Sequence, residues 1–470
     1  MTRSHPSAPG SDGIGAVGRA AWAAAGGDPA ALDRVASMTP PATLPSRLPV
    51  TQLAFDAVAL AILAVHEALL ARGMVADLPK VTVRGDRLLT SVRSERFLRI
   101  GGAAPGAWSP LSGFFPAADG WVRTHGNYPH HSGRLRAVLG TSPDAGRDAV
   151  AAAIATGPAQ QWEDAAADAG AVLVRVRTAQ EWAEHPQGRA LVSLPMLSVA
   201  RSGLGGARGW SARPVRPLEG VRVLDLTRVI AGPIAARDLA LAGADVLRVD
   251  APWLPEIGWQ HLDTGQGKRS TLLNLRDRSD RAVFERLLGD ADVVLTGYRR
   301  GSLDRFGLSA AALAARHPGI VVGSVSAWGS VGPWAERRGF DSIVQAATGI
   351  AMVESGGAGT PGALPAQVLD HASGHLLAAG VIRALVDQRV RGGSAIVSVA
   401  LARVAQDLLA GGAAPEASEE APTPPTLQTG TTGSDVELVT AAPVLTYHEA
   451  PEGYPTMGGG WGADDPAWRA

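Results

Sequence analysis

The stretch Gly220-Val-Arg-Val-Leu-Asp-Leu-Thr-Arg-Val-Ile-Ala-Gly-Pro233 decides the fold of this chain. Its first half is a short apolar run, which predicts a buried strand over 221–226. A turn with a single glycine follows, and Pro233 then stands at the start of a second apolar run, where proline is compatible with the first turn of a helix. The stretch therefore predicts a strand, a turn and a helix, the opening unit of a parallel α/β sheet.

The same alternation continues on the carboxyl side of this unit. Strands are predicted over 245–249, 270–275, 293–295, 320–326 and 395–399, and helices over 278–288, 309–316, 370–389 and 401–409. Regular alternation of strand and helix is typical of a parallel sheet with helices on both faces. The sequence thus predicts a doubly wound, Rossmann-like α/β domain over residues 218–411.

A smaller α/β domain is predicted before the large one, within residues 105–200. Residues 113–122 have the pattern of two strands joined by a turn at Asp119-Gly120, and a further strand is predicted over 171–176. These strands predict a small antiparallel sheet.

The remaining segments are assigned mainly from composition. Residues 17–104 are expected to form helices and a partial large-domain-like segment, which includes a buried helix over 51–72 and a short strand over 80–83. Residues 1–16, rich in Ser, Pro and Gly, are expected to be a flexible leader. Residues 412–470 are expected to be a linker and a tail without assigned structure.

Composition narrows the possible functions. The 46% hydrophobic and 19% charged content is typical of a globular protein, and the length of 470 residues predicts two domains or one large composite unit. A formal net charge of −1 gives no long-range attraction for nucleic acid or a membrane surface, so we expect neither as a partner. The chain has no cysteine, which excludes disulfides and thiolate chemistry and is compatible with a cytoplasmic location. Met1–Gly15 lacks the apolar core of a signal peptide, so no export is expected.

A nicotinamide site is the first alternative for a sheet that opens in this way. Asp250, at the end of the second predicted strand, stands where such sites place a ribose-binding acid. The turn before Pro233, however, has one glycine instead of the G-x-G-x-x-G pattern that lets the backbone approach a pyrophosphate. The sequence therefore disfavours a nicotinamide site.

An ordered series of motifs resembles a known family. After the opening stretch come Leu241-Ala-Gly-Ala-Asp, Gly267-Lys-Arg-Ser, Tyr298-Arg-Arg-Gly with Phe306-Gly-Leu, Gly329-Ser-Val-Gly-Pro, Gly339-Phe-Asp with Gln345-Ala, and Asp370-His-Ala-Ser-Gly. Over about 218–404 this order resembles the class III CoA-transferases, the formyl-CoA and carnitine CoA-transferase group. No single motif would carry the resemblance alone.

The resemblance implies a reaction and a set of site residues. Asp370 would be the nucleophile that carries CoA between an acyl-CoA and a carboxylic acid through a covalent aspartyl intermediate. No metal or added cofactor is implied, since CoA is itself a substrate, and a homodimer is expected because family members are interlocked dimers. The positions that match CoA contacts or the pocket are Ala231, Gly232, Lys268, Arg269, Tyr298, Arg299, Arg300 and Asp341.

Each candidate also has a structural interpretation. Asp370 precedes an apolar periodic run, where aspartate is a favoured N-cap, and Asp341 could cap a helix over 342–348 in the same way. The basic residues at 268–269 and 299–300 could be solvated surface charges. The pair His371 and His375, and the group at His125, His130 and His131, lack the patterns of metal sites and are expected to be packing or surface residues.

Departures from the family pattern leave other functions open. Related racemases have a histidine where this chain has Phe340, which cannot carry a proton. Gly265, Gly297 and Arg300 replace residues that are usual at CoA-contact positions, and the small domain precedes the large one instead of following it. The alternatives are therefore an acyl-CoA racemase or isomerase, or a CoA-binding homologue without catalysis.

Overall fold

A computed structural model describes residues 13–106, 108–203, 205–210, 214–357, 359–414 and 423–469. The leader expected at 1–16 and the linker expected after residue 412 fall largely outside the described residues.

The α-helices are distributed along the whole described chain. Their bounds are α1 Ala16–Ala24, α2 Val50–Ala71, α3 Gly85–Ser91, α4 Ser94–Phe97, α5 Pro129–Val138, α6 Arg147–Ile154, α7 Ala159–Ala169, α8 Ala179–Glu184, α9 Pro186–Leu191, α10 Ala231–Leu241, α11 Gly258–Asp263, α12 Arg278–Gly289, α13 Ala310–Arg316, α14 Asp341–Thr348, α15 Ile350–Val353, α16 Val368–Arg391 and α17 Leu401–Ala410. Short 3-10 helices span Pro29–Arg34 and Asp304–Phe306.

The strands form three sheets. Their bounds are β1 Arg99–Ile100, β2 Gly113–Ala117, β3 Gly120–Thr124, β4 Leu173–Arg175, β5 Leu197–Ser202, β6 Arg222–Leu226, β7 Asp245–Asp250, β8 Arg269–Leu272, β9 Val293–Thr296, β10 Val321–Ser326, β11 Ser394–Ala400, β12 Leu427–Thr431 and β13 Glu437–Ala441.

The large sheet has the order β5-β11-β10-β9-β6-β7-β8, and every adjacent pair except β5 with β11 is parallel. The chain adds β7 and β8 on one side of β6 and then places β9 on the other side, so the strand order reverses between β6 and β9. This topology confirms the predicted doubly wound fold. In such sheets ligands bind at the carboxyl ends of the strands beside the reversal.

The small sheet has the order β2-β3-β4 and is antiparallel, as predicted. Its hairpin turns where Ala117 pairs with Gly120, at the predicted Asp119-Gly120 turn. Phe115 and Val122 point into a separate apolar core that includes residues of α5, α6 and α7. The smaller α/β unit therefore precedes the large sheet in the chain.

Helix α2 is one of the two long apolar helices at the centre of the fold. By length and composition alone it could cross a membrane, but 89% of its most apolar window is buried inside this structure. A helix that is apolar on every face is buried by other parts of the protein on every face. Helix α2 packs along α16. The predicted buried helix over 51–72 is thus confirmed.

One expectation for the flanking segments is wrong, and one segment left unassigned forms strands. The predicted strand over 80–83 is only a single bridge between Val81 and Val35, because no neighbouring strand continues the ladder. The tail, for which no structure was assigned, contains β12 and β13, which form an antiparallel sheet with β1. Strand β5 spans the predicted domain limit at residue 200 and forms the antiparallel edge of the large sheet.

A buried ion pair in the small unit lies where that unit meets the large domain. Arg177 donates two hydrogen bonds of 2.7 Å to the carboxylate oxygens of Glu163, and both side chains are almost fully buried. The backbone N–H of Arg177 donates to the carbonyl of Ala346 in α14. This pair therefore holds the end of β4 against the large domain.

We predict that Glu163→Gln lowers the free energy of unfolding by about 3–5 kcal/mol, because it leaves the Arg177 charge buried without its partner. Urea unfolding measures the change. Glu285→Gln, which disrupts exposed pairs with Arg281 and Arg316, is the control and should cost less than about 1 kcal/mol. Equal losses in the two variants would contradict the prediction.

Candidate active site

A cavity of about 290 Å³ lies at the carboxyl ends of β6, β9 and β10, beside the reversal of strand order. The large domain contributes the first turn of α10, the residues after β9 and β10, and Asp370 of α16. The small unit contributes the segment around α5. The site residues predicted from the sequence that line this cavity are Ala231, Gly232, Tyr298, Arg299 and Asp370.

Asp370 lies in the first turn of α16 with 6% of its surface exposed. It is not the N-cap that the sequence pattern suggested, since the helix begins at Val368 and Gln367 is the N-cap. The helix extends further because Val368 and Leu369 are fully buried and keep the chain helical against the core. The Asp370 carboxylate, which faces the cavity, accepts no hydrogen bond from any described residue.

Asp341 caps α16 from a different helix. Its Oδ2 accepts the backbone N–H of Asp370 at 2.9 Å, and its Oδ1 accepts Nε2 of Gln345 at 2.5 Å. The suggestion that Asp341 caps its own helix is therefore wrong, since Asp341 is the first residue of α14 and its N-cap is Phe340. Asp341 is fully buried and is not part of the cavity wall.

Burial makes both of these acids harder to ionise. Burial, followed by the charge of Asp341, raises the pKa of Asp370 well above its ordinary value. Burial also raises the pKa of Asp341 to about 6, although its hydrogen bonds from the Asp370 N–H and Gln345 act in the opposite direction. Once ionised, Asp370 is therefore a more basic carboxylate than an exposed aspartate.

The turn before α10 is strained and tightly packed. Val229 has φ of +72°, an unusual value for a β-branched residue, and its N–H donates to Glu256 at 3.1 Å. A Cβ on Gly232 would come within 2.3 Å of the Thr227 side chain, so glycine is required there by packing. Strain of this kind is concentrated at functional sites.

A buried acid organises one wall of the cavity. Glu256 accepts a hydrogen bond from the Tyr128 hydroxyl and pairs with Arg248 at 2.9 Å and Arg228 at 3.4 Å. Burial opposes the ionisation of Glu256, but Arg248 and Arg228 outweigh it and lower the pKa to about 2. Arg228 is held in place by this network. Arg338, on the same cavity wall, donates no hydrogen bond to a described residue.

Three predicted CoA contacts lie away from this cavity. The Lys268 ammonium is buried against Asp225 Oδ2 at 3.1 Å and the Pro233 carbonyl at 3.2 Å, where it holds the start of α10. Arg269 pairs with Asp245 at 2.9 Å, and Arg300 donates to the Ser330 carbonyl. None of these three residues lines this cavity, so a CoA contact at Lys268, Arg269 or Arg300 stays a prediction.

The sequence analysis missed a wall of rings contributed by the small unit. Tyr128, His130 and His131 line the cavity, and His125 stacks on Phe340 with ring centroids 3.7 Å apart. Burial and the neighbouring His130 lower the pKa of His131 to about 2, so its imidazole is neutral. The signal in the sequence is the cluster of rings at 125–131, whose spacing indicates neither a metal site nor a cavity wall. No group of three potential ligands for a metal ion occurs among the described residues.

The other histidine pair lies in the helical core. His375 Nδ1 is 2.6 Å from Asp238 Oδ2, a contact between α16 and α10, and His371 is fully buried. Burial lowers the pKa of His371 well below its ordinary value. Neither residue lines the cavity, which agrees with the packing interpretation.

The fold and this cavity define a doubly wound α/β protein with a buried acid at its ligand crevice. Residues 218–454 match the family model described as CoA-transferase family III. That match covers half of the chain, and the chain belongs to this family.

Similar proteins carry related names. The chain is 34% identical over 213 residues to a "probable fatty acyl-CoA transferase" of Mycobacterium tuberculosis, covering 43% of this chain and 54% of that protein. It is 32% identical to human succinyl-CoA:glutarate CoA-transferase, covering 42% of this chain and 49% of that protein. A crystal structure of a hypothetical protein from M. tuberculosis is 35% identical, with a TM-score of 0.39 and coverage of 42% and 58%. The chain thus spans about half the length of the curated relatives it matches.

We predict that Asp370→Asn raises the thermal unfolding temperature near pH 8. The pKa of Asp370 is raised in the folded protein, so the folded state binds the proton of this carboxyl more tightly than the unfolded state does. The folded state therefore loses stability relative to the unfolded state as pH rises from about 4 through the raised pKa. Asparagine does not ionise and has no such loss of stability, so the gain in unfolding temperature should shrink toward zero near pH 4. Scanning calorimetry measures it, with Asp290→Asn on the surface as the control. A gain that is independent of pH would contradict the prediction.

Proposed function

We propose that this chain transfers CoA from an acyl-CoA to a carboxylic acid, with Asp370 as the nucleophile. The observation that supports this most strongly is the position of Asp370, a carboxylate without hydrogen-bond partners among the described residues that faces the cavity at the start of α16. The helix N-terminus favours the ionised carboxylate, while burial and Asp341 keep it basic. A nucleophile needs both properties.

The proposed reaction balances without an external energy source. An oxygen of Asp370 attacks the thioester carbonyl, the C–S bond breaks, and a mixed anhydride and a CoA thiolate form. The thiolate attacks the Asp370 carbonyl, which releases the first acid and leaves an aspartyl-CoA thioester. The acceptor carboxylate then attacks the aspartyl-CoA thioester, and the same steps run in reverse to give the acyl-CoA of the acceptor and the free Asp370 carboxylate. Since a thioester is consumed and a thioester is formed, we propose that no metal or additional cofactor takes part.

The first turn of α10 is the proposed oxyanion site. Ala231 and Gly232 line the cavity, and the first N–H groups of a helix have no partner within that helix. Such groups stabilise negative charge that develops on a carbonyl oxygen. The strained turn at Val229 fixes their position before substrate arrives.

An adjoining recess is the proposed position of the CoA nucleotide. A cavity of about 150 Å³ shares Leu226, Leu254, Tyr298 and Ser302 with the Asp370 cavity and extends toward Trp253. The Trp253 ring is 47% exposed and stacks under Arg276, with 4.8 Å from the guanidinium carbon to the ring centroid. We propose that the adenine ring packs on Trp253 while the pantetheine arm reaches Asp370.

The cations at the mouth of the cavity are the proposed phosphate contacts. Arg299 and Arg338 line the cavity, and burial together with the charge of Arg299 lowers the pKa of Arg338 to about 10. An anion near these guanidiniums would relieve their mutual repulsion. We also propose that the chain is cytoplasmic and forms a homodimer, and size-exclusion chromatography with light scattering tests the dimer.

We predict that incubation with an acyl-CoA followed by hydroxylamine converts Asp370 to a hydroxamate that peptide mass spectrometry can locate, because anhydrides and thioesters of aspartate react with this nucleophile. Asp370→Asn should lower the transfer rate by at least about 10³-fold. Asp290→Asn is the control. Full transfer without modification of Asp370 would reject the proposal. Exchange of the α-hydrogen without an acceptor acid would indicate isomerisation instead.

We predict that Trp253→Ala weakens CoA binding about tenfold or more, since stacking of a base on an aromatic ring contributes about 1–3 kcal/mol. Isothermal titration calorimetry with free CoA measures the affinity. Trp108→Ala is a matched control, because Trp108 is also 47% exposed but lies outside the recess. Unchanged affinity in Trp253→Ala would remove the recess from the proposed site.

A further inference from the structure

A second cavity, of about 290 Å³, lies between the small antiparallel sheet and the amino-terminal ends of α14 and α16. Its wall includes Arg123 of β3, Ser342 of α14, Gln367 before α16, and the rings of Trp108 and Phe114. It shares no lining residue with the Asp370 cavity. The reaction proposed above therefore makes no use of it.

Arg123 is the cation of this second cavity. Its guanidinium carbon lies 4.9 Å from the centroid of the Phe114 ring, and Arg123 donates no hydrogen bond to a described residue. Its Nε is buried without a partner. The charge of Asp341 acts on Arg123, but both oxygens of Asp341 already accept hydrogen bonds from Asp370 and Gln345. Arg123 therefore lines the cavity with guanidinium donors that no described residue uses.

The charge of Arg123 is incompletely compensated. Burial and then the neighbouring Arg147 lower the pKa of Arg123 to about 10, while Asp341 acts in the opposite direction. The side chain is therefore still a cation at neutral pH. A buried cation with open donors favours an anionic ligand that can accept two parallel hydrogen bonds.

Ser342 is a second, independent indication of a ligand. Its side chain is 7% exposed, it belongs to the wall of the cavity, and its Oγ has no hydrogen-bond partner among the described residues. A buried hydroxyl without a partner is costly, so an acceptor atom that reaches the Ser342 Oγ would be favoured.

We propose that this cavity is a second ligand site, which binds a small carboxylate with a planar apolar body. The carboxylate pairs with the Arg123 fork and accepts from the Ser342 hydroxyl, while the body packs between Phe114 and Trp108. Trp108 is 47% exposed and forms the open side of the cavity. A doubly charged phosphate fits less well, because the wall has one cation and two aromatic rings and Asp341 lies close behind it.

Titration calorimetry of the full chain with benzoate tests this proposal, with benzamide and inorganic phosphate as probes of charge and shape. Benzoate should bind saturably, and both other probes at least tenfold more weakly. Arg123→Gln should weaken benzoate binding at least tenfold and Ser342→Ala about threefold. Arg134→Gln is the control, because Arg134 is exposed, donates to the carbonyl of Gly170 and does not line the cavity. It should bind benzoate like the wild type.

The same titrations separate this site from the Asp370 cavity. Asp370→Asn and saturating CoA should leave benzoate binding unchanged, whatever the transfer activity of the chain. Binding that is lost in Arg338→Gln but kept in Arg123→Gln would place benzoate in the Asp370 cavity and overturn the proposal. An absence of saturable binding, or equal losses in Arg123→Gln and Arg134→Gln, would also overturn it. Should Arg123→Gln fail to fold, Trp108→Ala must weaken benzoate binding about threefold.

Discussion

The carboxylate of Asp341 holds the first turn of the longest helix, and the candidate site depends on that contact. Helix α16 needs acceptors for its first N–H groups, and Asp341 supplies one to the N–H of Asp370 at 2.9 Å. The same contact places a second acid beside Asp370 and raises its pKa. This hydrogen bond therefore fixes the position of the candidate nucleophile, while burial and then the charge of Asp341 raise its basicity.

The cavity around Asp370 is built by two parts of the chain that are distant in sequence. Glu256 of the large domain accepts the hydroxyl of Tyr128 from the small unit and pairs with Arg228 beside α10. The His125 ring stacks on Phe340, directly before Asp341. The amino-terminal portion thus closes one side of a site whose reactive acid belongs to the carboxyl-terminal portion. This arrangement agrees with the reversed order of the two units along the chain.

The architecture was predictable because local signals determine it. Alternating apolar runs gave the strands and helices of the large sheet, and the turn at Asp119-Gly120 gave the small hairpin. Local signals failed where a distant partner decides the outcome. The first turn of α16 depends on Asp341, which lies 29 residues before Asp370 in the sequence. The direction of the Lys268 side chain depends on Asp225, which lies 43 residues before Lys268. The rings of Tyr128, His130 and His131 could not be assigned to the Asp370 cavity, because the local sequence does not show which cavity these side chains face.

An oxygen-labelling experiment tests the covalent role of Asp370 most directly. A single turnover with an acceptor acid carrying heavy oxygen in its carboxylate passes through an anhydride with Asp370, and the CoA thiolate then cleaves the bond on the acceptor side. The account predicts that the Asp370 carboxylate retains one heavy oxygen, which peptide mass spectrometry detects. Efficient transfer with no label on Asp370 would contradict the account.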